Sequence, residues 1–116
     1  MKTKLQLLFI ACLMAFSLNV MAQAEQSVEV LAKSITDKMT KALSLTQDQI
    51  DKLQTINTNY VKKTLDLKKQ FASNKTELEK QLKENNADRE VKARKVFTEK
   101  QYSTFLQRKA EFEIKR

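Results

Sequence analysis

Glycine and proline are both missing from all 116 residues, and so are histidine and tryptophan. Without Gly or Pro the cheapest chemistry for hairpin turns, type II turns and phosphate-cradling loops is gone, which excludes an all-β fold and a dinucleotide-binding fold. Without His, and with a single Cys, the usual transition-metal ligand sets and the His-based nucleophile triads cannot be assembled. The expectation is therefore no metal, no cofactor and no enzyme. What is present is a basic chain of net charge +8, 31% charged and 41% hydrophobic, a balance that suits a small all-α protein with a modest core.

The N-terminus reads as a secretory signal peptide. Lys2 and Lys4 form the basic segment, Leu5 to Phe16 the apolar one, and small residues allow cleavage after Ala22 or after Ala24. Ser17 and Asn19 interrupt the apolar run before it reaches the ~20 residues a membrane span needs. Residues 1–24 are thus set apart from a single helical domain over 25–116. Cys12 lies in the removed segment and matches a lipoprotein box poorly, so whether it is ever lipidated stays open. The mature chain then has no thiol, as suits an oxidising compartment. Loss of Lys2 and Lys4 leaves 20 basic against 14 acidic residues, a mature charge of +6. Outside the cytoplasm that charge fits acidic proteins or an anionic membrane surface better than nucleic acid.

Helical spacing organises the rest. Val28, Leu31, Ile35, Met39 and Ala42 mark one amphipathic helix; Leu53, Ile56, Tyr60, Thr64, Leu67 and Phe71 mark a second, with Leu78 and Leu82 still in phase. The hairpin turn falls either at 72–75, where Asn74 and Glu77 resemble a helix start, or at Asn85-Asn86, Asn being the residue here that best tolerates a left-handed backbone. The first choice gives two antiparallel helices of similar length. A third helix then runs from about Asn74 to Val96 and a last from Glu99 toward the C-terminus, with Tyr102, Phe105, Leu106 and Phe112 as its apolar side. Acid-first pairs such as Glu79–Lys83, Asp88–Lys92, Glu90–Arg94 and Glu111–Lys115 add helical support.

Two helix starts carry the same local code. In Leu45-Thr46-Gln47-Asp48-Gln49-Ile50, Thr46 can accept from the Gln49 amide while the Gln49 side chain reaches back to the Thr46 amide, and Leu45 with Ile50 makes the flanking hydrophobic staple. Phe97-Thr98-Glu99-Lys100-Gln101-Tyr102 repeats the arrangement 52 residues later. Leu45-Thr46-x-x-Gln49 resembles the LTxxQ motif of the Spy/CpxP family of periplasmic helical proteins, and Phe97-Thr98-x-x-Gln101 its second copy with Phe for Leu. The order of signal peptide, leading helix, motif, hairpin, motif and final helix is similar as well.

The resemblance implies four helices with a long antiparallel hairpin, a cradle-shaped homodimer in the periplasm of a Gram-negative bacterium, and a link to envelope stress. It implies one of two activities: an ATP-independent holdase for unfolded envelope proteins, as in Spy, or restraint of a sensor kinase domain, as in CpxP. A basic helical structural or lipid-surface binder is the further alternative. A holdase needs wettable apolar surface framed by cations. On the second helix Lys52, Lys63, Lys68 and Lys75 flank the stripe centred on Tyr60 at roughly 60–80°, with Lys62 and Lys69 opposite and Leu65 on the polar side. Lys92, Arg94 and Lys95 make a second basic patch. These residues are the candidate client or partner contacts, although a stripe of this kind is also what an ordinary core with solvated lysines looks like.

Overall fold

A computed structural model of the chain describes residues 27–114. The signal segment, its cleavage sites and Cys12 lie outside the described residues. Helix covers 27–43 (α1), Gln47–Gln70 (α2), Lys75–Arg94 (α3) and Glu99–Gln107 (α4), followed by a short 3-10 turn at Lys109–Phe112. Among the described residues there is no strand. The described residues are all-α, with four helices, as the absent turn residues require.

The hairpin turn lies at 71–74, and Asn85-Asn86 sits inside α3. Asn74 caps α3 by accepting from the Glu77 amide at 3.2 Å. The left-handed residue is elsewhere: Ser44, just past α1, has φ of 53°. A serine there carries a Cβ clash that glycine would avoid, so the chain stores strain where α1 must reverse into α2. The last two helices stop earlier than their apolar spacing predicts. α3 ends at Arg94, and α4 gives way after Gln107 to the 3-10 turn that carries Phe112 inward.

α2 buries two rows, not one. Leu53, Asn57 and Val61 step by four along the row that meets α1, where Asn57 donates to Thr36 Oγ1 at 3.0 Å. Tyr60, Thr64 and Leu67 belong to the face against α3, where Asn85 donates to Thr64 Oγ1 at 3.0 Å and to the Tyr60 carbonyl at 3.1 Å. Both threonines also donate to the carbonyl one turn back in their own helix, at 2.9 Å for Thr36 and 2.8 Å for Thr64. Each interface is thus fixed in register by an Asn to Thr bond whose alternative is an unpaired buried polar group.

α3 buries Leu82, Asn85, Arg89 and Ala93, a face as polar as it is apolar, and leaves Val91 exposed. On α1 the inward residues are Ala32, Ile35, Thr36, Met39 and Leu43, so Leu31 turns outward. The main core gathers at one end of the hairpin. There Ile35, Met39, Leu43, Leu53, Val61 and Ala93 meet Phe97, Phe105 and Phe112. Phe105 is its hub, 5.4 Å from the Phe97 ring, 6.3 Å from Tyr102 and 5.6 Å from Phe112. Leu67 and Leu82, nearer the turn, are buried outside that cluster.

Candidate functional site

Both capping boxes form. Thr46 Oγ1 accepts from the Gln49 amide at 3.3 Å while the Thr46 amide donates to Gln49 Oε1 at 3.0 Å; the Thr98 and Gln101 distances are 3.2 and 2.9 Å. The two glutamines then do something that no local rule anticipates. Gln49 Nε2 donates to Gln101 Oε1 at 2.8 Å and Gln101 Nε2 donates to Gln49 Oε1 at 3.2 Å, a reciprocal pair of amides. Each amide also reaches across to the other junction's backbone, Gln49 to the Val96 carbonyl at 3.0 Å and Gln101 to the Leu43 carbonyl at 3.2 Å. The two motifs form one clasp. It locks the start of α2 to the start of α4 and closes the core end of the hairpin.

The cationic candidates are spread around this frame. Lys52 is exposed and pairs with Asp48 at 3.1 Å, and Lys92 pairs with Asp88 at 3.0 Å. Such exposed i, i+4 pairs contribute ~0.3–0.5 kcal/mol each. Lys75 stands at the exposed start of α3 and Lys95 at its exposed end. Arg94 lies over the Tyr102 ring at 5.0 Å, so it does not make the expected pair with Glu90. Glu90 is held instead by Lys109 at 2.7 Å, with Tyr102 donating at 3.2 Å. The Lys109 hydrogen bond, with its charge and the Tyr102 bond behind it, keeps the Glu90 carboxyl below the usual carboxylate range against the opposing effect of burial.

Leu65 and Lys68 come together. Leu65 continues the α2 row that meets α1, so it is half-buried and packs on the core, not on a polar face as a single-stripe wheel places it. With Val28 of α1 it forms the apolar floor of an open groove of about 730 Å³, rimmed by Lys62, Lys68 and Lys69 and by Asp66 and Glu29. Lys62 and Lys69, which the wheel puts at the back of the helix, therefore border the groove. Lys63 points to the other side of α2, where it shares a smaller groove with Lys92.

Arg89 escaped the sequence reading altogether. It is 2% exposed, its guanidinium carbon sits 3.9 Å from the centre of the Tyr60 ring, and Nη1 donates to the Phe112 carbonyl. Its Nε is buried without a partner. Burial pushes its pKa down, against the fields of Tyr60, Glu113 and Glu90. Its one signal in the sequence is register, four residues from Asn85 and four from Ala93, which hydrophobicity does not score.

Among the described residues no group of His, Cys, Asp or Glu is placed to hold a metal ion, and no helix is long and apolar enough to cross a membrane. No curated protein and no solved structure matches the chain. A family model does, a domain of unknown function (DUF4890), over residues 19–105, well over half of the sequence, and the chain belongs to that family.

Proposed function

We propose that this DUF4890 protein is an exported, ATP-independent holdase that binds partly unfolded envelope proteins as a cradle-shaped homodimer, in the manner of Spy. The observation that carries the reading is the groove of about 730 Å³ in which Leu65 and Val28 lie beneath Lys62, Lys68 and Lys69. An apolar floor under lysine stems gives contacts that are weak and exchangeable, while the ammonium groups stay wet and attract acidic segments. The paired LTxxQ-type motifs support the same reading, since a holdase must keep its own frame folded while clients move on it, and so does an N-terminal segment whose sequence reads as an export signal.

The test is light scattering of a reduced, aggregating client with purified residues 25–116, without ATP. Suppression at near-stoichiometric ratios is expected. Leu65→Ser or Lys68→Glu should weaken it several-fold with the helical circular dichroism unchanged. No suppression at several-fold excess overturns the holdase reading, and a monomer by sedimentation overturns the dimeric cradle.

A further inference from the structure

We infer that the turn end of the α2–α3 hairpin docks on an anionic membrane surface, its lysines against phosphate headgroups and the apolar start of α1 among them. This goes beyond the holdase reading and shares with it only the groove at Leu65. Residues 27–114 hold 18 basic and 13 acidic side chains, yet over 62–75 alone there are five lysines to one acid, Asp66, and elsewhere 13 to 12. Counting Glu29 beside the groove and the start of α3 through Lys80, the turn end still holds six cations to four carboxylates. Among the described residues none of Lys62, Lys63, Lys68, Lys69 and Lys75 makes an ion pair, whereas Lys52, Lys92, Arg108 and Lys109, toward the core end, all do.

Exposed apolar side chains gather at the same end. Val28 and Leu65 are half-buried on the groove floor, and Val30 and Leu31, at the start of α1, are 67% and 38% exposed. A cationic cluster joined to exposed apolar residues is the pair of signals that holds a protein at the surface of an anionic bilayer without crossing it. The kind of cation separates an extended surface from a single bound anion. All five are lysines, point charges on flexible stems that can follow mobile headgroups. The described arginines, whose planar fork suits a fixed carboxylate or phosphate, are engaged elsewhere, Arg89 on Tyr60, Arg94 on Tyr102 and Arg108 on Glu111.

The experiment sediments purified residues 25–116, free of the apolar N-terminal segment, with vesicles of equal parts phosphatidylglycerol and phosphatidylethanolamine, and with phosphatidylcholine vesicles as reference. Binding is expected on the anionic vesicles alone, at least about tenfold weaker in high salt than in low. Lys62→Gln with Lys69→Gln should weaken it at least about threefold more than Lys41→Gln with Lys100→Gln, which removes the same charge from exposed positions at the clasp end. The chain has no tryptophan, so Val30→Trp gives a unique fluorescence that should shift to the blue on anionic vesicles, while Val91→Trp, on α3 near the clasp and 58% exposed as valine, should not shift. The inference is overturned if both vesicle types bind alike, if the two lysine pairs weaken binding equally, if Val30→Trp does not shift, or if Val91→Trp shifts as much. Binding of polyglutamate without binding of anionic vesicles also overturns it and assigns the lysines to an acidic protein partner. No client is present in these measurements, so the holdase reading stands or falls separately.

Discussion

The two ends of the α2–α3 hairpin are built on different terms. At the clasp end, Gln49 and Gln101 tie two helix starts together above an aromatic core centred on Phe105, with α1 and α4 both contributing. At the turn end, Leu67 and Leu82 are buried outside that core, the turn at 71–74 is closed by the Asn74 cap and by the Asn74 amide donating to the Phe71 carbonyl at 3.0 Å, and Val28 of α1 lies with Leu65 on the groove floor. Among the described residues one end is over-determined and the other more lightly held. The division suits a binding protein, because stability concentrated in one place lets a surface elsewhere stay wet and adjustable.

The sharpest way to break the comparison is Gln101→Glu. A glutamate would still complete the local capping box, but it cannot donate to the Leu43 carbonyl or to Gln49 Oε1, which would face a carboxylate instead. Chemical denaturation should show a loss of about 2–3 kcal/mol, whereas a purely local cap predicts almost none. Next, Thr46→Ala and Thr98→Ala should each cost ~0.5–2 kcal/mol as lost caps, while Asn74→Ala at the turn end should stay near the bottom of that range. Equal losses at all three positions, with equal hydrogen-exchange protection at both ends, would erase the contrast.

Ser44→Gly should raise stability, by about 0.5–1 kcal/mol, because it relieves the left-handed serine at the clasp end. The smallest effect concerns acid. Glu90 is depressed in the fold, so its contribution is complete above its ordinary value of 4.5 and is lost as pH falls through the lower folded value. With its side chain 21% exposed, the pair with Lys109 should account for no more than ~1 kcal/mol. Glu90→Gln should flatten the acid limb of a stability-against-pH curve by that amount and leave neutral stability slightly lower.

The helices were legible because their signals are local. Thr46, Gln49, Thr98 and Gln101 write two helix starts at fixed spacing, and the alternation of Leu, Ile and Tyr along 53–67 marks the most regular helix. The turn at 71–74 was legible as one of two choices. Less visible were the faces that meet other helices through polar atoms. Asn57, Asn85 and Arg89 are buried at helical register, yet a reading based on apolar residues assigns them to solvent. Leu65 was misplaced for the same reason, since a wheel centred on Tyr60 sees one stripe where α2 has two neighbours.

By itself, then, the sequence determined what the chain could not be and where its helices begin. A chain with no Gly or Pro must build its boundaries from Thr, Gln, Asn and a strained Ser, and capping chemistry acts within three or four residues. The tertiary structure alone decided that the two glutamines serve each other, that Arg89 goes inside, and that Leu65 meets Val28 beneath a rim of lysines. Those outcomes depend on residues 23 to 52 positions apart finding one another, Arg89 with Phe112 at the near end and Gln49 with Gln101 at the far end. No periodicity along the chain encodes which partner a buried donor will meet.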